Sequence, residues 1–364
     1  MKSTEKTFTV LLLSAPIGSG HVLAAQALEE LLQRQSNIKV VHGNIFSFFP
    51  HILGQSFLRF YLLVLDCCPW LYELAYKWGN RQSGSLWLRS LLNGALAKLG
   101  DSYIKSVAPD AVIATHATPA GIMGIYKKTH PHLWLGAVVT DFTIHRWWLC
   151  EGVDTYFIAD ERLRSKIKLE NPVDVQAFGI PVRQQFLNNN GAACRAGYGW
   201  NDDRRVCLLM GGGEGLLPME KIIAALHKQQ GLRLVAVTGR NEKLAERLRQ
   251  AYPHLEIYGF RQDVPQMMSA ADMIITKAGG LTAAEVLSCG LDFIIYKPLP
   301  GQEEGNAAFL HRHCGAHIAK NVTQLAEIVG GLCTAKAADD EKKPALGKPH
   351  AAEDICAYIL KNAR

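Results

Sequence analysis

Short apolar runs that alternate with helix-like segments constrain the fold of this chain most strongly. The run FTVLLLS at 8–14 is typical of a buried β-strand, and it leads through a glycine-bearing turn into HVLAAQALEELLQRQ, whose apolar spacing favours a helix. Further strand-like runs lie at 38–42, 111–115, 134–140 and 155–159. This alternation predicts a parallel, doubly wound α/β sheet.

A second series of the same kind begins near residue 205. The polar, glycine-bearing stretch 188–205 precedes a new strand, VCLLM, and further strand-like runs follow at 233–238, 255–258, 273–276 and 292–296. A chain of 364 residues with 48% hydrophobic content can fill two cores. We therefore predict two domains and a tail, at 1–190, 204–334 and 335–364, the tail being a charged linker followed by a helix.

Composition narrows the location and the partners. The nine cysteines are scattered and form no zinc-ligand spacing, which is typical of reduced cytosolic thiols. No signal-peptide pattern opens the chain and no apolar run reaches the roughly 18–20 residues of a spanning helix, so we expect a cytoplasmic protein that meets the inner face of the membrane peripherally. A net charge of +6 suits an anionic partner, although dispersed basic residues could simply be solvated.

The first turn, PIGSGH at 16–21, places small residues between a strand and a helix N-terminus, where free N–H groups favour anionic or polar ligands. His21 would stand at the carboxyl edge of the sheet, where a neutral imidazole can take a proton from a hydroxyl. A histidine that only caps the helix or faces solvent remains the alternative.

Two glycine turns in the second series could approach a phosphate. MGGGEG at 210–215 follows strand VCLL, although three glycines could also serve only a tight turn. Downstream, TKAGGLTAAE at 276–285 joins a strand to a helix and offers a second glycine pair with exposed N–H groups. Glu285 lies inside that helix, where it could accept two ribose hydroxyls or could be a plain surface carboxylate.

The loop KPLPGQEEGN at 297–306 concentrates side chains that suit sugar hydroxyls, which a generic polar turn seldom does. With this loop, the stretch TKAGGLTAAEVLSCGLDFIIYKPLPGQEEGNAAF closely resembles the donor-binding region of diacylglycerol glucosyltransferases and monogalactosyldiacylglycerol synthases. These are distant relatives of the peptidoglycan enzyme that glycosylates lipid I. The resemblance extends in order over PIGSGHVLAAQAL, VVTDFTIHRWW, FGIPVRQQF, MGGGEG and YGFRQDVPQMMSAADMIITK, which together cover most of the chain.

The resemblance implies a GT-B fold, in which two Rossmann-like doubly wound domains face a cleft, with UDP held mainly by the C-terminal one. It implies an inverting transfer of glucose or galactose from a UDP-sugar to diacylglycerol or a related lipid. His21 resembles the family's proposed base, and Asp141 and His145 lie in its acceptor-side motif, where an acid–base and a structural role stay open. The donor-binding positions that it implies are Gly20, Gly212, Gly213, Phe260, Arg261, Gly279, Gly280, Thr282, Glu285, Gln302, Glu303 and Asn306.

We expect neither a metal ion nor nucleic acid to bind. The sequence contains no Asp-x-Asp motif, so we expect no cofactor and no bound metal, with helix dipoles stabilising the diphosphate instead. The expected partners are the UDP-sugar, the lipid acceptor and an anionic membrane surface. The turn IGSGH departs from relatives that have a third glycine or an asparagine there, which puts the acceptor geometry in doubt.

The aromatic and aliphatic stretch 46–78 is the candidate lipid-contacting surface, with Arg59, Lys77, Arg81 and Arg89 placed to meet anionic headgroups. An ordinary buried helix pair is the alternative.

Three rival functions stay open: transfer of N-acetylglucosamine to another lipid, a UDP-sugar epimerase, and a regulatory module that senses UDP-sugars. Glucose and galactose donors differ in one hydroxyl, which the sequence does not discriminate.

Overall fold

A computed structural model describes residues 7–15, 19–48, 84–213, 215, 217–334 and 347–363. Its contacts divide the chain into two compact units. Unit 1 is Met1–Arg183 together with His350–Arg364, and unit 2 is Gln184–Pro349. The C-terminal helix therefore belongs to unit 1, whereas the sequence assigned it to neither domain. The domain limits at 190 and 204 stay predictions.

Unit 1 is built on a six-stranded sheet in which every pair is parallel. Its strands are β1 (Phe8–Ser14), β2 (Ile38–Asn44), β3 (Ala111–Ala114), β4 (Trp134–Val138), β5 (Thr155–Phe157) and β6 (Asp174–Gln176), and their order across the sheet is β2-β1-β3-β4-β5-β6. The α-helices among its described residues are α1 (Gly20–Leu32), α2 (Gly84–Val107), α3 (Ala117–Lys127) and α11 (Ala351–Asn362). Central strands β1 and β3 are almost wholly buried, as expected where helices cover both faces of a parallel sheet.

Unit 2 repeats this plan with a second parallel six-stranded sheet. Its strands are β7 (Arg205–Met210), β8 (Leu232–Val237), β9 (Glu256–Tyr258), β10 (Met273–Thr276), β11 (Asp292–Tyr296) and β12 (His317–Ala319). The helices are α4 (Gly191–Gly197), α5 (Met219–Leu226), α6 (Glu242–Ala251), α7 (Val264–Ala270), α8 (Gly280–Cys289), α9 (Gln302–Cys314) and α10 (Val322–Thr334). The order β12-β11-β10-β7-β8-β9 is that of a Rossmann sheet.

Helix α11 completes the core of unit 1. Ile355 and Ile359 are fully buried and pack into one cluster with Leu28 and Leu32 of α1. Full burial of one such side chain contributes roughly 1.5–3 kcal/mol, so the last helix fixes the position of α1 and of the residues at its start.

The predicted α/β class is confirmed, and the ten strand-like runs of the sequence correspond to β1–β5 and β7–β11. The sequence interpretation missed β6 and β12, which are three-residue edge strands. Among the described residues no helix is both long and apolar enough to cross a bilayer. Most of the candidate lipid-contacting stretch 46–78, with Arg59, Lys77 and Arg81, lies outside the described residues.

Candidate active site

In unit 1 the strand order reverses between β1 and β3, because β2 lies on one side of β1 and β3 on the other. The loops that leave the carboxyl ends of two such strands diverge, and ligands of open α/β sheets bind in the crevice that this creates. His21 is the second residue of α1, the helix that follows β1 and begins at Gly20. Thr115 and His116 follow β3, and Thr140 follows β4.

The imidazole of His21 is held by these neighbouring loops. Its Nδ1 lies 2.9 Å from the carbonyl oxygen of Thr115 and 2.7 Å from the hydroxyl oxygen of Thr140. A carbonyl oxygen only accepts hydrogen bonds, so Nδ1 carries the hydrogen and Nε2 keeps its lone pair. The Thr115 hydroxyl in turn donates to the carbonyl oxygen of His21 at 2.9 Å. The contacts therefore present Nε2 as the basic atom.

Burial keeps this imidazole neutral. It lowers the pKa of His21 from 6.5 to about 4, and the backbone contact with Thr115 offsets only part of that shift. Burial likewise lowers the pKa of His145 to about 4, with smaller contributions from His21 and Arg89. Near neutral pH His21 can therefore accept a proton without first losing one.

His116 is the N-cap residue of α3, and its Nδ1 accepts the backbone N–H of Thr118 at 3.1 Å. Its ring meets that of His21 edge to face, with centroids 4.6 Å apart. Burial, followed by the nearby His21 and His145, holds the pKa of His116 well below 6.5. Two neutral histidines thus lie side by side at the point where the strand order reverses.

The loop after β4 carries Asp141, which is only 2% exposed. Arg89 of α2 fixes the far end of this loop, since its guanidinium donates to the carbonyl oxygens of Arg146 and Leu149 at 3.3 and 3.2 Å. These bonds hold the guanidinium on the loop backbone, and the contact of Arg89 with anionic headgroups stays a prediction. His145 and Trp148 lie in the same loop, with ring centroids 6.2 Å apart.

In unit 2 the strand order reverses between β7 and β10, and a glycine turn follows each of these strands. After β7, Gly212 has a φ of +76° and open space where a Cβ would stand. Gly213 accepts the backbone N–H of Arg240 at 2.8 Å. The turn also packs against Gly239, where a Cβ would come within 2.3 Å of the Gly213 carbonyl oxygen. Two backbone turns therefore lie in direct contact.

After β10, helix α8 begins at Gly280 with Gly279 as its N-cap residue and no side chain capping its N–H groups. Thr282 lies in the first turn, and Glu285 is 7% exposed one turn further on. Uncapped N–H groups and the positive end of the helix dipole attract anions. Helix α8 therefore carries both an N-terminus that attracts anions and the buried carboxylate of Glu285.

Lys277 and Glu303 tie this turn to the next. The Lys277 ammonium lies 3.3 Å from Glu303 Oε1, and Glu303 Oε2 accepts the Leu299 N–H at 2.8 Å. Asn306 is fully buried and donates to the carbonyl oxygen of Ala278 at 3.0 Å. Gln302 begins α9 and is half-buried. The loops after β10 and β11 therefore form one connected structure.

Phe260 follows β9 with 58% of its surface exposed, and the Arg240 guanidinium lies 5.7 Å from the centre of its ring. Arg261 is paired differently, since it donates to both carboxylate oxygens of Asp263. An exposed aromatic ring beside a cation is a stacking surface for a planar base.

The structure thus groups the predicted residues into two sets. Unit 1 contains His21, Gly20, Asp141 and His145, and the predicted donor-binding residues other than Gly20 all belong to unit 2. The sequence interpretation did not single out Thr115, Thr140, His116 or Lys277. Their position directly after a strand was the signal that could have found them, because carboxyl ends of parallel strands share one edge.

Comparison with known proteins identifies related domains in two parts of the chain. Residues 21–182 match the model of the monogalactosyldiacylglycerol (MGDG) synthase family, and residues 206–353 match the C-terminal domain of glycosyltransferase family 28. Both matched regions are thus glycosyltransferase domains, the first of the MGDG synthase type and the second of family 28. The predicted class, a UDP-sugar-dependent hexosyltransferase, is thereby confirmed.

A curated relative and two solved structures extend the comparison. A processive diacylglycerol beta-glucosyltransferase of Bacillus pumilus is 29% identical over 346 residues, which cover 92% of this chain and 88% of the relative. MurG of Acinetobacter baumannii matches with a TM-score of 0.63 at 19% identity, over 97% of this chain and 99% of that one. A UDP-GlcNAc 2-epimerase of Neisseria meningitidis matches with a TM-score of 0.61 at 14% identity, over 98% and 100%. The structural matches confirm the GT-B fold.

Within the described residues no group of three or more histidines, cysteines or carboxylates is arranged to hold a metal ion.

Proposed function

We propose that this glycosyltransferase moves glucose or galactose from a UDP-sugar to the free hydroxyl of diacylglycerol, with inversion at the anomeric carbon. The observation that carries the proposal is the imidazole of His21, whose Nδ1 is committed to Thr115 and Thr140 and whose Nε2 is left as a base. The nature of the acceptor rests on the relatives, which are named as processive diacylglycerol beta-glucosyltransferases.

Unit 2 binds the donor in this proposal. The N–H groups at Gly279 and Gly280 and the backbone of the Gly212–Gly213 turn hold the diphosphate. Glu285 accepts the ribose hydroxyls. The exposed ring of Phe260 is the face on which uracil stacks.

The remaining predicted positions surround the sugar and the uracil. Gln302, Glu303 and Asn306 stand at or just inside the start of α9, toward the hexose or its phosphate. Arg261, paired with Asp263, lies beside the uracil. Thr282 adds a hydroxyl in the first turn of α8.

Unit 1 supplies the chemistry. His21 Nε2 takes the hydroxyl proton of the acceptor while its oxygen attacks the anomeric carbon from the side opposite the diphosphate. The bond from the anomeric carbon to the phosphate oxygen breaks, and UDP leaves with the electron pair, stabilised by helix N–H groups. A single displacement of this kind inverts the anomeric carbon.

Asp141 is the second residue to which we assign a role in unit 1. Asp141 is buried and directly follows Thr140, whose hydroxyl contacts the His21 imidazole, and a carboxylate placed there favours the positively charged imidazolium that forms when His21 takes a proton. We infer an electrostatic role for it rather than a second base. The enzyme works at the membrane surface because its acceptor resides there, and peripheral attachment at the inner face is part of the proposal.

The test is a transfer assay. Purified protein is incubated with liposomes that contain diacylglycerol and with UDP-glucose or UDP-galactose, and glycolipid is detected by mass spectrometry. We expect hexosyl-diacylglycerol with one or both donors. His21→Ala should lower turnover by roughly 10²–10⁴-fold, the scale of a general base, and leave UDP affinity unchanged.

Other outcomes reassign the function. A product only with UDP-N-acetylglucosamine and another lipid would replace both substrates. Conversion of the UDP-sugar to its epimer without lipid product would make the protein an epimerase, whose fold it shares. Tight UDP binding without any turnover would favour a sensor of nucleotide sugars.

A further inference from the structure

His21 and His116 present opposite hydrogen-bonding atoms at one place in unit 1. The two rings lie edge to face with centroids 4.6 Å apart, and they stand where α1 and α3 begin. The two rings are not neighbours along the chain, because 94 positions separate His21 from Thr115, the residue before His116. The fold of the sheet brings them together.

Backbone contacts fix the tautomer of each ring, and they fix it in opposite senses. His21 Nδ1 faces a carbonyl oxygen, so Nδ1 carries the hydrogen and Nε2 is an acceptor. His116 Nδ1 accepts a backbone N–H from Thr118, so Nε2 carries the hydrogen and is a donor. Burial keeps both rings neutral, since it lowers both pKa values. The pair therefore offers one acceptor and one donor.

Within the described part of the chain, neither Nε2 has a hydrogen-bond partner. Both residues keep part of their surface exposed. A polar atom without a partner can form a hydrogen bond with a bound ligand, and that bond stabilises the complex. A carboxylate would satisfy only the donor and an ammonium only the acceptor, whereas a hydroxyl donates through its hydrogen and accepts through its oxygen.

We propose that His116 is a second binding residue for the acceptor hydroxyl, whose oxygen accepts the Nε2 hydrogen of His116 while its own hydrogen points to Nε2 of His21. The proposal rests on the proposed function and adds a residue to it. In the reaction the hydroxyl proton passes to His21, the oxygen bonds to the anomeric carbon, and UDP leaves with the electron pair. His116 keeps its proton throughout and orients the oxygen for attack.

Two substitutions separate this role from the capping role of His116. His116→Asn keeps the cap, because asparagine is a preferred N-cap residue that can accept the Thr118 N–H, but its side chain is too short to reach the hydroxyl. His116→Gln does the opposite, since its amide nitrogen can reach the position of Nε2 while the cap is weakened.

We expect His116→Asn to melt like the wild type, to bind UDP normally, and to lose roughly 10- to 100-fold in kcat/KM for diacylglycerol. His116→Gln should melt at a lower temperature yet lose less than about 5-fold in kcat/KM. Wild-type activity in His116→Asn would overturn the proposal. So would a loss in both variants that simply follows the fall in melting temperature.

A second measurement separates this proposal from the choice of acceptor. Nitrogen-15 NMR of the imidazoles in the full-length protein should show the hydrogen on Nδ1 in His21 and on Nε2 in His116. The same tautomer in both rings would overturn the pairing whatever the acceptor is. If the tautomers are as expected and diacylglycerol is not glycosylated, the proposed acceptor fails while the hydroxyl site stands.

Discussion

The Nδ1 atom of His21 lies 2.9 Å from the carbonyl oxygen of Thr115, a residue 94 positions away along the chain. This contact decides which nitrogen of the imidazole can act as a base. It depends on the pairing of β1 with β3, in which Val10 lies opposite Ala111 and Leu13 opposite Ala114. The register of the sheet thereby fixes the chemistry of the side chain at its edge.

Thr140→Val removes the second contact of that imidazole while conserving the shape of the side chain. The Thr140 hydroxyl oxygen lies 2.7 Å from Nδ1, and the residue is 3% exposed. We expect kcat to fall roughly 3- to 10-fold, the worth of one hydrogen bond, with UDP affinity unchanged. Thr129→Val is the matched control, because that hydroxyl bonds only locally, to the carbonyl of Tyr126 and to His130. Equal effects of the two substitutions would contradict the role of Thr140.

The acidic side of the pH profile should follow His21. With a pKa of about 4, the imidazole stays a base above that pH, so kcat/KM should be flat around neutrality and fall only as the pH drops toward 4. An unperturbed histidine would instead lose activity near pH 6.5. The profile is measured with UDP-glucose and diacylglycerol in mixed micelles. A midpoint near 6.5 would show that the imidazole is not desolvated.

Stability should depend on pH through the same histidines. His21 and His145 have folded pKa values of about 4, and that of His116 is also lowered, so between 6.5 and about 4 the unfolded chain binds more protons than the folded one. The free energy of unfolding therefore falls as the pH decreases through this window. We expect the melting temperature to fall less over this range in His145→Asn than in the wild type. Parallel curves for the two proteins would contradict the assignment.

The cation of Lys277 should matter for the diphosphate and not for the nucleoside. It lies 3.3 Å from Glu303 beside the uncapped start of α8. Lys277→Met should weaken UDP binding about 10-fold and leave uridine binding unchanged, as measured by calorimetry. Lys320→Met, at an exposed position, is the control. Equal losses for UDP and uridine would indicate a collapsed loop instead.

The contact between the two backbone turns of unit 2 can be tested with two glycines. Gly239 and Gly231 both have positive φ, at +63° and +71°, but only at Gly239 would a Cβ meet backbone, 2.3 Å from the Gly213 oxygen. Gly231→Ala should cost about 1 kcal/mol of unfolding free energy. Gly239→Ala should cost roughly 3 kcal/mol or more and also weaken UDP binding, because the Gly212–Gly213 turn must move. Equal destabilisation would refute the close packing.

The sequence predicted those parts of the fold that leave a local pattern. Continuous apolar runs such as 8–14 and 111–115 indicate strands, because the strands of a parallel sheet are buried on both faces. The edge strands β6 and β12 escaped notice because their sequences, DVQ and HIA, form no apolar run. Helix α11 was recognised as a helix, but its packing on α1 was not predicted, because the two helices lie at opposite ends of the chain.

The candidate site likewise contains residues that a local pattern predicts and contacts that it does not. His21 and the glycine turns were visible because they follow predicted strands within a few residues. The pairing of Lys277 with Glu303, and of His116 with His21, depends on which strands are neighbours in the sheet. No spacing along the chain carries that information.

The stereochemistry of the product tests the central claim most directly, namely a single displacement in which His21 deprotonates the acceptor. Proton NMR of the glycolipid formed from UDP-glucose, whose sugar is α-linked, reports the new linkage at the anomeric carbon. The account predicts a β-linked glucosyl-diacylglycerol whose formation is lost in His21→Ala. An α-linked product would contradict it, because retention requires a different mechanism from one base and one displacement.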